Sequence, residues 1–353
     1  MKSLILHVGP PKCGSSSVQR FFKNHKKPFV EKSQFVRLDG STVQQLEQGK
    51  LTTEIRKALK LKGHVILSHE ALFIKPEALR TIVKLATERV PEIRLIGYSR
   101  RSSSFMLSAY HQWGFRNPKV VQPVNQVLRE NDIDPSQFLG FERQLIASII
   151  KDFDFGSTPV MDWNKSYGHL EDLLSFAPVK MKVGFLPVPG SAPNLILDFS
   201  RKAGLSLKKR YHQVKLQSNP GFNSHLTEFV NNAVVQQREV PGPHDDNDFF
   251  HQVSAFLPSP LEVSPSFTEL LKNYIDTYFY PSHQEFCRKY QLNTDYFKVS
   301  GNPSKELVLE AIQKEMQTRL KEHRMTHVYR EVMAITMEAF YKYARQRPFP
   351  KSV

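Results

Sequence analysis

The sequence predicts an α/β protein: a parallel sheet flanked by helices, with extra helices toward its C-terminal end. Three observations carry that expectation. Short apolar runs alternate with amphipathic stretches over the first half of the chain, the pattern of strands buried between helices. A turn rich in glycine and serine joins the first apolar run to the first amphipathic stretch. The last part of the chain is strongly charged and helical in pattern.

The elements follow in order. Residues 4–8 (LILHV) read as a short buried strand and 16–25 as the helix after it. Residues 65–68 (VILS) are a second strand, and 76–88 a helix with Pro76 at its start. Residues 93–98 (IRLIGY) are a third strand, followed by a helix over 103–113. Residues 158–161 and 181–185 are weaker strands, and 194–204 a helix closed by Gly204. Residues 241–265 are rich in Pro, Asp, Asn and Ser and read as a loop or insert. Residues 268–290 and 304–345 read as charged helices. The expectation is one domain over 1–353, with an insert near 236–265 and a helical extension over 266–353.

With 353 residues, 40% of them hydrophobic and 24% charged, the composition is globular. Forty-nine Lys and Arg against 34 Asp and Glu give a net charge of +15, so an anionic ligand or acceptor is expected. The two cysteines, Cys13 and Cys287, cannot build a disulfide framework. The opening MKSLILHVG holds too short an apolar run for a signal peptide. No stretch approaches the roughly 18 apolar residues of a membrane helix. A cytoplasmic protein without stable membrane insertion is expected.

The segment HVGPPKCGSSSVQ carries the chemistry. Gly9 and Gly14 have the spacing of the nucleotide-binding P-loop, but Ser15 stands where that loop has its lysine, and Lys12 comes earlier. The segment still follows a strand and opens a helix, where backbone N–H groups and the helix dipole attract an anion. Ser15, Ser16 and Ser17 add hydroxyl donors and Lys12 a point charge. A second stretch, YSRRSSSFMLSAYHQWGF, puts Arg100 at the end of the third strand and Ser108 eight positions on. A guanidinium there can grip a phosphate with paired, charge-assisted bonds.

Together these motifs resemble the sulfotransferases that use 3′-phosphoadenosine 5′-phosphosulfate (PAPS), and among them the bacterial carbohydrate-type members. The likeness covers roughly the first two thirds of the chain in outline. It includes SHEALF after the second strand, VMDWNKSYGHLEDLLSF, NLILDFSRKAGL and NPGFNSHLTEFVNNAV. The resemblance implies a P-loop-like fold. It also implies transfer of a sulfuryl group from PAPS to a hydroxyl of a carbohydrate or acidic glycan, releasing 3′-phosphoadenosine 5′-phosphate (PAP), with no metal required. It places Pro11, Lys12, Cys13, Gly14, Ser15, Ser16 and Ser17 at the 5′-phosphosulfate, and Arg100 and Ser108 at the 3′-phosphate. Lys12 would meet charge on the bridging oxygen. Glu70 or its neighbour His69 would take the acceptor's proton, with Glu70 favoured. Tyr110, His111, Trp113 and Arg116 would suit a sugar face and its acidic groups.

Other constellations are weaker. His323 and His327, four apart on an expected helix, read as a solvated face, and HDDND at 244–248 as a polar loop. The basic C-terminal part lacks a nucleic-acid reading motif, so its helices are expected to serve a partner or a homo-oligomer. Two alternatives differ in class. One is a P-loop kinase-like phosphotransferase, opposed by the lysine's position and by the lack of an obvious acidic magnesium ligand at a strand end. The other is a non-catalytic basic protein that binds a nucleotide or polyanion.

Overall fold

The computed structural model describes residues 1–154, 161–186, 194–214, 221–242 and 245–346. In chain order its strands are β1 (Ser3–His7), β2 (Ser33–Arg37), β3 (His64–Ser68), β4 (Ile93–Ser99) and β5 (Val179–Phe185). The helices are α1 (Ser15–Asn24), α2 (Gly40–Glu47), α3 (Thr53–Ala58), α4 (Ala71–Ile74), α5 (Pro76–Thr87), α6 (Ser102–Tyr110), α7 (Pro118–Arg129) and α8 (Gly140–Ile150). They continue with α9 (Trp163–Leu174), α10 (Leu195–Ala203), α11 (Ser224–Val235), α12 (Asn247–Ser254), α13 (Pro265–Lys289), α14 (Lys305–Lys321) and α15 (Arg324–Gln346).

The strands pair in the order β2-β3-β1-β4-β5, every pair parallel. Leu4, Ile5 and Leu6 of the central β1 are fully buried, as a parallel strand covered on both faces requires. The chain leaves β1 toward β2 at one edge and leaves β4 toward β5 at the other. β1 and β4 are neighbours, so the crevice beyond their carboxyl ends is a topological switch point, where open α/β sheets bind ligands.

Two compact units form. One comprises Met1–Arg101, Val160–Asn219 and Tyr280–Lys298, and holds the sheet. The other comprises Ser102–Pro159, Pro220–Phe279 and Val299–Val353, and is helical among the described residues. In the second unit Arg319 is fully buried and clamps fully buried Glu142 with two parallel bonds of 2.7 and 2.9 Å. Its Nε also donates to Glu315 at 2.7 Å. Removing one partner of such a pair strands the other charge in the interior. Arg319→Met is therefore expected to cost about 3–5 kcal/mol of stability, read as a lowered urea midpoint.

The strands expected at 4–8, 65–68, 93–98 and 181–185 correspond to β1, β3, β4 and β5. β2 was not expected: SQFVR is an edge strand, half-buried or exposed throughout, and lacks an apolar run. Residues 158–160 lie outside the described residues, and Met161 joins no strand. The helix expected over 103–113 ends at Tyr110, where the chain turns toward Gly114. The loop expected over 241–265 contains α12, whose buried Phe250 and Val253 form an i,i+3 pair. His244 of HDDND lies outside the described residues. The helix expected over 304–345 is two, because His323 adopts φ 47° between α14 and α15. His323 and His327 therefore do not share a helix face, though both are exposed. Among the described residues no helix is long and apolar enough to cross a membrane.

Candidate functional site

The site is built at the carboxyl edge of the sheet, within the first unit. β1 ends at His7, and residues 8–14 turn before α1 begins. The turn needs two left-handed residues, Lys12 at φ 63° and Gly14 at φ 89°. A lysine in that region is uncommon, and such conformations gather at functional sites. Gly14 is also the N-cap of α1 and, as a glycine, supplies that helix no side-chain cap. No acidic residue lies in its first turn. The dipole and first-turn N–H groups thus meet no protein carboxylate on α1 itself.

The loop rests on a buried polar support. His7 Nδ1 and Ser68 Oγ are 2.9 Å apart, and Gln19 Nε2 donates to the same Oγ at 3.2 Å. β1, β3 and α1 are thereby joined beneath the turn. Burial lowers the His7 pKa to about 4, so the ring is neutral. Two loop residues expected at the anion turn inward instead. Ser15 is buried and its hydroxyl donates to the Gly9 carbonyl at 3.2 Å. Cys13 is fully buried, its N–H donates to the Pro10 carbonyl at 3.2 Å, and burial raises its thiol to about 12. Both build the loop. Pro11, Lys12, Gly14, Ser16 and Ser17 are half-buried on it.

Arg100 follows β4 directly, and its Nη1 donates to the Lys12 carbonyl at 3.0 Å. Among the described residues its buried Nε has no hydrogen-bond partner, which is costly unless something else is bound there. Trp163 Nε1 donates to the Arg100 carbonyl at 2.7 Å, and Tyr167 Oη to the Tyr98 carbonyl at 3.1 Å. Tyr167 packs over Gly97 so closely that a Cβ there would collide with its hydroxyl. α9 thus holds the end of β4. Its signal in the sequence is the apolar spacing Trp163, Tyr167, Leu170 and Leu174, all buried.

Glu70 and His69 separate. Burial lowers Lys12 to about 8, the Glu70 carboxylate pulls it back up, and Arg100 pushes it down again. Glu70 therefore shares the electrostatic neighbourhood of Lys12 and Arg100. His69 belongs to another one. Burial and then Arg37 lower its pKa, against Asp39. Its Nδ1 accepts the Ala71 N–H at 2.9 Å. The first unit therefore brings two cations, Lys12 and Arg100, and one carboxylate, Glu70, within electrostatic reach of one another near the start of α1.

The remaining expected residues lie in the second unit. Ser108 is half-buried on α6. Tyr110 is buried, with its hydroxyl unpaired among the described residues. His111 Nδ1 is 3.1 Å from Thr227 Oγ1, and Trp113 is half-buried. Arg116 is fully buried, donates to the Asp245 carbonyl at 2.8 Å and to Asn247 Oδ1 at 2.7 Å, and stacks on Phe250. Tyr110 and Arg116 therefore pack the interior of that unit and do not present a surface for a sugar.

Comparison of the chain with protein-family models, curated proteins and solved structures found no match. Among the described residues no group of three or more His, Cys, Asp or Glu could hold a metal ion.

Proposed function

We propose that the chain is a sulfotransferase that uses PAPS and acts on a hydroxyl of a carbohydrate or glycoconjugate. The observation that carries this reading is the convergence of Lys12, Arg100 and Glu70 at the switch point of a parallel sheet. The sheet order and the loop between β1 and α1 also favour the P-loop-like fold. The donor fits the residues present. Arg100 has a buried Nε, unpaired among the described residues, that a phosphate oxygen would satisfy. The loop offers a cation and a helix start whose N-cap is a glycine. PAPS supplies the sulfuryl group. Lys12 and the α1 N-terminus would stabilise charge on the departing 5′-phosphate oxygen. Glu70 would accept the acceptor's proton as its oxygen bonds to sulfur and the sulfur–phosphate oxygen bond breaks. Ser108 enters on sequence spacing alone, and no acceptor-binding role is proposed for Tyr110 or Arg116.

Two measurements test this. Incubation with sulfur-labelled PAPS and a panel of neutral and acidic glycans should give labelled glycan and PAP. No transfer to any acceptor, with intact PAP binding, would favour the non-catalytic binding protein. Arg100→Ala should weaken PAP binding about tenfold or more by calorimetry. Unchanged affinity would remove Arg100 from the site.

One observation favours a second reading. Glu70, two residues beyond β3, is a carboxylate acting on the loop lysine, and a phosphotransferase could use it to hold magnesium. Binding of magnesium-ATP in preference to PAP would select that reading.

A further inference from the structure

A second cleft lies at the far end of α1. That helix has ten residues and so carries the chain about 15 Å from the anion loop. Beyond it the chain folds back as 25–32 before entering the edge strand β2. The cavity between this fold and the sheet has a volume of 630 Å³, within the usual range for small-molecule sites.

Its floor is apolar. Phe22, Phe29 and Ile66 are buried and Phe35 is half-buried. Phe35 and Ile66 are register partners on β2 and β3, so the cavity reaches the sheet itself. The Phe22 and Phe35 rings stack with centroids 4.7 Å apart. Its rim is cationic. Lys26, Lys27 and Lys32 are exposed, and no hydrogen bond or ion pair engages their ammonium groups among the described residues. Lys208 is half-buried, its Nζ donating to the Lys27 carbonyl at 3.0 Å. Glu31 is the one carboxylate on this lining, and it is engaged: its oxygens accept the Ser206 N–H at 2.8 Å and hydroxyl at 2.7 Å.

Four lysines line one cleft, and the one carboxylate among the lining residues is already bonded elsewhere. That local excess of positive charge attracts an anion. A small inorganic anion would leave the phenylalanine floor wet, whereas a ring on that floor buries apolar area and stacks. We propose that this cleft binds an aromatic anion, a ring system carrying a sulfate, sulfonate, carboxylate or phosphate group. The ring lies against Phe22, Phe29 and Phe35, and the anionic group meets Lys26, Lys27, Lys32 and Lys208. The inference does not rest on the sulfotransferase reading.

The test is calorimetric titration of the full chain with 2-naphthalenesulfonate, 2-naphthol and sodium sulfate. The sulfonate should bind at least tenfold more tightly than either 2-naphthol or sulfate. Lys32→Glu/Lys208→Glu should weaken it tenfold or more, and Lys12→Ala should leave it unchanged. Because Lys208 also bonds the backbone, Lys26→Glu/Lys27→Glu, at two exposed positions, carries the same expectation. The proposal fails if the sulfonate does not bind, or if 2-naphthol or sulfate binds equally well. It also fails if both double variants keep full affinity, or if Lys12→Ala abolishes binding.

Discussion

Lys12→Ala is expected to lower kcat by about 10²–10³-fold while weakening PAP binding much less. On the proposed mechanism the residue is held where charge would develop. Its backbone is in the left-handed region, its carbonyl is tied to Arg100, and its side chain is half-buried. A cation fixed in a poorly hydrated loop needs no reorganisation when the leaving oxygen gains charge, so its contribution is largest in the transition state. A pH signature accompanies it. Burial lowers Lys12 to about 8, with Glu70 and Arg100 acting in opposite senses. Below pH 8 the side chain is charged, and above it the charge is lost. On the proposed mechanism kcat/KM should therefore fall as pH rises through about 8 in the parent protein. That limb should be absent in Lys12→Ala. Steady-state kinetics and calorimetry across pH 6.5–9.5 check both. A parent-like kcat in the variant would remove the assigned role.

Glu70→Gln is expected to cut kcat by about a hundredfold or more, with PAP affinity nearly unchanged. The substitution keeps size and hydrogen bonding but cannot take a proton. Glu70 is the carboxylate that acts on Lys12, whereas His69 is engaged with the Ala71 N–H and is surrounded by Arg37 and Asp39. His69→Ala should therefore do less to turnover and more to the start of α4. The reverse ranking, with His69→Ala nearly inactive and Glu70→Gln active, would move the base to the histidine.

The central strands were legible because β1, β3 and β4 are buried on both faces, which forces near-continuous apolar runs such as LILHV and VILS. β2 was not, since an edge strand needs only partial burial and SQFVR carries no such run. The second unit hid its interior for another reason. Arg319, Glu142, Arg143 and Glu228 read as surface residues, yet all are buried and answer one another's charge or hydrogen bonds. Pairing between residues far apart in the chain leaves no local mark. Spacing also foretold that Lys12 lies on the turn after β1 and Arg100 at the end of β4, because a strand, a tight turn and a helix fix where such residues can stand. Spacing could not tell a serine that faces a ligand from one that bonds its own loop, as Ser15 does. Neither could spacing tell what separates His69 from Glu70. β3 ends at Ser68, and Glu70 already has helical φ and ψ, so the turn into α4 parts them.

The most direct measurement is binding of PAP in the presence of a metal chelator, set beside binding of ATP with excess magnesium, each by calorimetry on the full chain. The account predicts that PAP binds without metal, raises the melting temperature by linkage, and binds more tightly than magnesium-ATP. Equal or tighter binding of magnesium-ATP, or no PAP binding at all, would contradict it.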